Sequence, residues 1–287
     1  MKKALKFLLV VFVYSALFTI TNMVLPFSQA FRDMNASANP LSAVFLFISS
    51  VFICFTICFI ARKASWRGTK RILGIIAVVF LVVSFMTQIE TLFFGSSFEV
   101  LTKPDILLIM LAMLPSIICA ALLGVKFFGR KEADTNQSVS ITVKVLLPRI
   151  LILGIVYMAV YFLFGYFVAW QFEELRVFYS GSAENAGFIG QLMNNFHSNP
   201  VIYPFQFVRG ILFTTSILPL LYMLRTKKAV FVISVCLVYL CTAIILIIPN
   251  PLFPDAVRWA HFAEMFSSML LFGIVTGHIL YVKERFL

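Results

Sequence analysis

Residues 41–61 read LSAVFLFISSVFICFTICFIA, without a charged side chain. Residues 62–71, RKASWRGTKR, carry five basic groups, and residues 72–95, ILGIIAVVFLVVSFMTQIETLFFG, return to apolar composition with a single acid, Glu90. At about 1.5 Å of rise per residue, each apolar run is long enough to cross a hydrocarbon core of roughly 30 Å as a helix. In lipid only helices and closed barrels satisfy their own backbone. The pattern is therefore span, basic turn, span. Working outward from it, the chain divides into eight apolar segments, at about 5–27, 41–61, 72–95, 106–128, 146–170, 201–224, 229–248 and 259–282. Composition agrees: of 287 residues 61% are hydrophobic, mean hydropathy is +1.00, and charged residues reach only 12%. A soluble domain carries about 25%. The expected fold is an all-α, polytopic transmembrane bundle, one domain over residues 1–287.

The net charge of +11 has its explanation in where the cations fall. Lys2, Lys3 and Lys6 precede the first span, and Arg62, Lys63, Arg67, Lys70 and Arg71 lie between the second and third. Lys126, Arg130, Lys131, Lys144 and Arg149 fall between the fourth and fifth, Arg225, Lys227 and Lys228 between the sixth and seventh, and Lys283 and Arg285 follow the eighth. The other connections hold only Arg32, Lys103, Arg176 and Arg258, and Arg209 sits inside a span. Alternation of this kind is the positive-inside signature. It places both termini in the cytoplasm of a bacterial inner membrane and removes the need for a nucleic-acid partner. Ser28-Gln29-Ala30 after the first run has the small-residue look of a signal-peptide cleavage site. That run of roughly twenty residues exceeds an ordinary signal core, so a retained anchor is expected. Cys54, Cys58, Cys119, Cys236 and Cys241 all fall within apolar runs and read as packing residues.

Ionisable groups inside spans are expensive and need partners. On this topology Glu90 lies near the outer end of the third span, and Arg209 roughly 12 Å below the outer boundary of the sixth. His261 and Glu264 lie within roughly the first 8 Å of the eighth. Arg258, His261, Glu264 and Ser268 share one arc of that helix, about 120° wide at 100° per residue. Gly273 and Gly277 form a GxxxG pair on its other side, suited to a second copy or another membrane protein. Gln206, Arg209 and Ser216 form a stripe on the sixth span above Pro219, while Thr87 accompanies Glu90 and Tyr157, Tyr161 and Gly165 line the fifth. Trp170, Glu173, Glu174 and Arg176 fall at the same depth. The candidate binding residues are thus Glu90, Arg209, His261, Glu264, Gln206, Ser268, Trp170, Glu173, Glu174 and Arg176, turned toward one outward-facing polar cavity. The longest outer connection, 171–200, is broken by Gly181, Gly187 and Gly190. Phe188, Ile189, Leu192, Met193 and Phe196 recur there at helical spacing, which suits either an interfacial helix or an ordinary loop.

Glu90 with Arg209 also reads as a structural ion pair. His261 and Glu264 supply two metal ligands where zinc takes three or four, so no metal and no cofactor is expected. The chain holds no GxSxG, HExxH, GxxxxGK[ST] or GxGxxG. Glu173-Glu174 with Arg176 is too tightly spaced for the EExxxR element of glutamic intramembrane proteases. Four stretches, MTQIETLFFG, YFVAWQFEELRVFYSG, PFQFVRGILF and RWAHFAEMFSSMLLFG, resemble an uncharacterised family of bacterial multi-spanning inner-membrane proteins with no assigned activity. The resemblance implies that these outer-facing segments act together and transfers no function.

Three functions fit. In a small-solute transporter or binding protein, Arg209 holds an anionic group, Glu90 or Glu264 carries a proton or cation, and His261 titrates near neutrality. In a membrane-embedded enzyme acting on a lipid or lipid-linked substrate at the outer leaflet, Glu264 or Glu90 is the acid or base, His261 its partner, and Arg209 clamps phosphate. In an accessory subunit the charges only hold helices together. The first is the leading expectation. Membrane lipids are the one partner all three share.

Overall fold

The computed structural model describes residues 2–36, 39–95, 100–130, 141–224 and 226–282. Lys131, Arg225, Lys283 and Arg285, part of the basic pattern, lie outside them. Among the described residues there are helices and no strands. Eight helices are long and apolar enough to cross a membrane: Lys2–Val24, Ser42–Lys63, Gly68–Phe93, Lys103–Phe128, Val143–Gln171, Ile202–Met223, Lys228–Ile247 and Asp255–Leu280. They are numbered below as the first to the eighth span.

Hydrogen bonds at each end show that successive spans alternate in direction. At one end, Ser65 donates from its backbone N and its Oγ to the Met223 carbonyl at 2.7 and 2.8 Å. There too, Arg149 Nη1 reaches the Ile279 carbonyl at 3.1 Å and Tyr281 reaches Thr226 at 3.3 Å. At the opposite end Ser28 donates twice to Asp105, at 2.8 and 2.7 Å, and Ser42 to the Pro249 carbonyl at 3.0 Å. Lys2 and Val282 thus share the first end, called the terminal end here, and the second is the distal end.

The core runs between the spans rather than around them. Ile53 and Ile57 of the second, Val78 and Val82 of the third, Ile117 of the fourth, Phe213 of the sixth, Tyr239 of the seventh and Phe272 of the eighth are fully buried together. The first span buries little beyond Val10, Val11 and Tyr14, and exposes Leu5, Phe12, Met23 and Val24. That is the composition of a helix whose outer face meets lipid.

Small residues set the closest approaches. A Cβ added to Gly277 would come within 2.8 Å of the Val232 Cα, and one added to Gly273 within 3.0 Å of the Cys236 Cα. The GxxxG pair is therefore filled by the seventh span of the same chain. It is not a free surface, which corrects the expectation of a second copy or partner docking through Gly273 and Gly277. An approach not anticipated joins the fifth and sixth spans, where a Cβ on Gly210 would stand 2.5 Å from the Tyr157 Cβ and 2.9 Å from the Gly154 Cα.

Two spans break at proline, which lacks the N–H to continue a helix. The fourth divides into Lys103–Ala112 and Leu114–Phe128 beside Pro115, and the sixth into Ile202–Ser216 and Leu218–Met223 beside Pro219. The third span breaks without proline: a π-helical turn, Phe80–Phe85, separates Gly68–Val79 from Met86–Phe93. Ser84 within that turn donates to the Met110 carbonyl at 2.5 Å, close to the fourth span's break. Residues 171–200 hold two short helices, Glu173–Ser180 and Gly187–Ser198. The first ends at Gly181, whose φ of 70° is the left-handed cap that glycine adopts without strain. The second turns Ile189, Met193 and Phe196 outward.

Candidate functional site

The π turn sets the stage for the polar cluster. Within it hydrogen bonds run five residues back, as from Met86 N to the Leu81 carbonyl. The widened turn re-phases the last two turns of the third span and presents Glu90 to the sixth. π turns of this kind often accompany functional positions.

Arg209 meets Glu90 as a fork. Nη1 donates to Oε1 at 2.7 Å and Nη2 to Oε2 at 2.6 Å, the two-pronged geometry that makes arginine–carboxylate pairs strong. The arginine side chain is 1% exposed and the glutamate 30%, so the cation is sealed while the anion keeps an open side. Nη1 also donates to Gln206 Oε1 at 3.1 Å, one turn earlier on the same helix. Rings enclose the guanidinium: Tyr157, Phe205 and Phe213 have centroids 5.7, 5.9 and 5.6 Å from its central carbon. Phe205 in turn stacks on Phe93 at 3.8 Å. Two donors remain uncommitted. Among the described residues, Arg209 Nε and Gln206 Nε2 are buried without an acceptor.

Glu264 supplies a second carboxylate. It is buried, and it lies within electrostatic reach of both Glu90 and Arg209. The Ser268 hydroxyl, one turn on, stands beside it and donates to the Met265 carbonyl at 3.4 Å. One turn earlier, His261 Nε2 is hydrogen-bonded to the Tyr179 hydroxyl at 2.9 Å. The imidazole is held edge-on between Tyr179 and Phe253, each ring 5.5 Å away. Burial pushes the Tyr179 hydroxyl well above the ordinary tyrosine pKa, and the negative charges of Glu90 and Glu264 push it the same way.

The structure thus gathers Glu90, Arg209, Gln206, Glu264, Ser268 and His261 at one depth, from the third, sixth and eighth spans. Glu173 and Glu174 are not among them: both are exposed, in the first turn of their short helix. Arg176 clasps its own loop, donating to the Trp170 carbonyl at 2.7 Å and the Ala183 carbonyl at 2.8 Å. Trp170 packs with Leu175, Val257 and Ala260, where that loop lies against the eighth span. Arg258 braces the entry to the eighth span, bonded to Asp255 at 2.7 Å and to the Ile247 carbonyl at 2.8 Å. Among the described residues no group of three or more His, Cys, Asp or Glu stands where it could hold a metal ion. Tyr179 is the member of the cluster that sequence reasoning missed.

The chain matches no family model, no curated protein and no solved structure.

Proposed function

We propose that the protein is a gradient-coupled carrier of a small anionic solute, placed in a bacterial inner membrane with both termini cytoplasmic. Its site is then the Glu90–Arg209–Glu264 cluster in the outer half of the bundle. The observation that carries this reading is Glu264. A register-fixing ion pair needs two partners, and Glu90 with Arg209 already makes one. A further buried carboxylate at the same depth adds a charge that costs several kcal/mol, on the order expected for desolvating an ion, unless a proton or cation accompanies it. That requirement is what coupling consists of. Arg209 holds the solute's negative group, Glu264 takes up and gives back the proton or cation, and His261 stands one helical turn away as a proton partner. The π turn, which ends five residues before Glu90, is a helix break of the kind carriers place around their sites, and Pro115 breaks the neighbouring fourth span. Pro219 lies about 15 Å along the sixth span from Arg209.

The test is flux in sealed vesicles. Purified protein reconstituted with a pH- or sodium-sensitive dye inside is challenged from outside with a panel of small anions. At least one anion should drive proton or sodium entry with the wild type. Glu264→Gln should reduce that entry at least about tenfold, the scale of a lost buried ionic interaction. If no anion moves either ion with the wild type, the coupled-carrier reading is wrong.

A further inference from the structure

The chemistry of the site narrows its ligand, on the premise that it is a solute site at all. Arg209 is sealed on every side except through Glu90, the one member of the pair with an exposed flank. Anything that reaches the guanidinium must come along the path the Glu90 side chain fills. Glu90 is therefore a resident ligand, and its geometry describes what the site accepts: a planar carboxylate gripped by Nη1 and Nη2 together. A tetrahedral phosphate could also engage this fork through two of its oxygens, so charge rather than shape discriminates against it. Its second negative charge would meet Glu264 in the same low-dielectric space.

The walls specify the rest of the molecule. Beyond the carboxylate the rings with exposed area are Phe93, one turn on from Glu90, and Phe205, which stacks on it at 3.8 Å and lies 5.9 Å from the guanidinium carbon. A planar apolar body finds stacking partners there. A polyhydroxylated one would bury hydroxyls among rings that offer few acceptors. Two buried donors, Arg209 Nε and Gln206 Nε2, wait at the same place without acceptors among the described residues. A resident carboxylate fixed to its own helix leaves Gln206 Nε2 unused, whereas a free one on the Nη1–Nη2 edge can shift toward it; Nε points away from that edge. The geometry points to a small aromatic or otherwise flat apolar carboxylic acid as the ligand, bound by replacing Glu90 on the Arg209 fork.

The experiment removes the resident ligand and offers substitutes. Glu90→Ala is purified in detergent and its thermal unfolding followed with added benzoate, acetate, phosphate or chloride at matched ionic strength. Benzoate should raise the melting temperature by several degrees, acetate by less, and phosphate and chloride not at all. The double variant Glu90→Ala/Arg209→Met should lose the benzoate effect. Where Glu90→Ala does not survive purification, Glu90→Ser gives the same readout, since it too empties the path and frees both Nη donors. Equal stabilisation by phosphate, or a benzoate effect that persists without Arg209, overturns the assignment. Rescue without ion-coupled flux would leave the ligand class standing and remove the carrier reading. Flux of a different anion without rescue would do the reverse.

Discussion

Tyr179 joins two parts of the chain that share no span. Its short helix, Glu173–Ser180, follows the fifth span, yet its hydroxyl meets His261 of the eighth at 2.9 Å. The loop is thereby pinned over the polar cluster, with Leu175 buried beneath it. Removing the hydroxyl deletes one hydrogen bond, about 1 kcal/mol, and so raises the open population roughly fivefold. Arg176 is the sole Lys or Arg in residues 171–200 and its side chain is clasped in the closed loop. Trypsin cleavage after Arg176 should accordingly be several times faster in Tyr179→Phe than in the wild type. Equal rates would mean that the contact holds nothing. The pH dependence has a definite sign. Because burial raises the folded pKa, the contact is fully present below the ordinary tyrosine value of about 10 and is lost as pH rises beyond it. A phenolate absorbance titration should show the wild-type-minus-Tyr179→Phe difference titrating above that value. Glu90, Arg209, His261 and Glu264 were legible in the sequence because an ionisable group inside an apolar run is conspicuous by its cost. Tyr179 was not, since tyrosines near span ends ordinarily belong to the interfacial belt.

At the scale of elements, the spans and two of their breaks follow from sequence because hydropathy and proline act locally. The π turn at Phe80–Phe85 does not, because no proline or glycine marks it and the contact that accompanies it, Ser84 to the Met110 carbonyl, is made with another span. The glycines divide in the same way. Spacing marks Gly273 and Gly277 as a close-packing pair without saying what packs there, and the partner proved to be the seventh span. Gly154 and Gly210 sit on different spans, so no spacing rule could join them. Their contact is what brings the fifth and sixth spans, and with them Tyr157 and Arg209, together. Gly210→Ala forces a Cβ to within 2.5 Å of the Tyr157 Cβ. Overpacking of this kind costs about 1–3 kcal/mol, and it should lower the melting temperature while displacing the neighbouring Arg209. Gly165→Ala is the control, for nothing lies within 4 Å of its added Cβ. There the gain in helix propensity, up to about 1 kcal/mol, should leave stability unchanged or higher. If both substitutions behave alike in thermal unfolding, the Gly154–Gly210 approach is not what sets the distance between these spans.

Across the whole molecule, the described acids keep to one half and most described cations to the opposite end, Arg32, Lys103, Arg176, Arg209 and Arg258 being the cations of the distal half. The described cations at Lys2, Lys3 and Lys6, at Arg62 to Arg71, at Lys126 and Arg130, and at Lys227 and Lys228 belong to the terminal end. Every described acid, from Asp33 and Glu90 through Asp105, Glu173, Glu174 and Glu184 to Asp255 and Glu264, belongs to the distal half. On the orientation proposed above, which follows the positive-inside rule, the terminal end faces the cytoplasm. Single cysteines placed at exposed Glu184 and exposed Lys227 read this out, since the five native cysteines all lie within spans. In intact cells a membrane-impermeant maleimide should label Glu184→Cys, and should label Lys227→Cys only after lysis. The reverse pattern would invert the bundle and put Glu90, Arg209 and Glu264 in the cytoplasmic half. The orientation matters to mechanism because Glu90, the partly exposed member of the pair, lies in the last segment of the third span, Met86–Phe93, at its distal end. On the proposed carrier reading, with that end outside, the solute would meet its site from the medium. With it inside, the same residues would meet the solute first from the cytoplasm, and the vesicle assay would have to present the anion to that face. Labelling of these two positions therefore decides the direction in which any flux assay should be loaded.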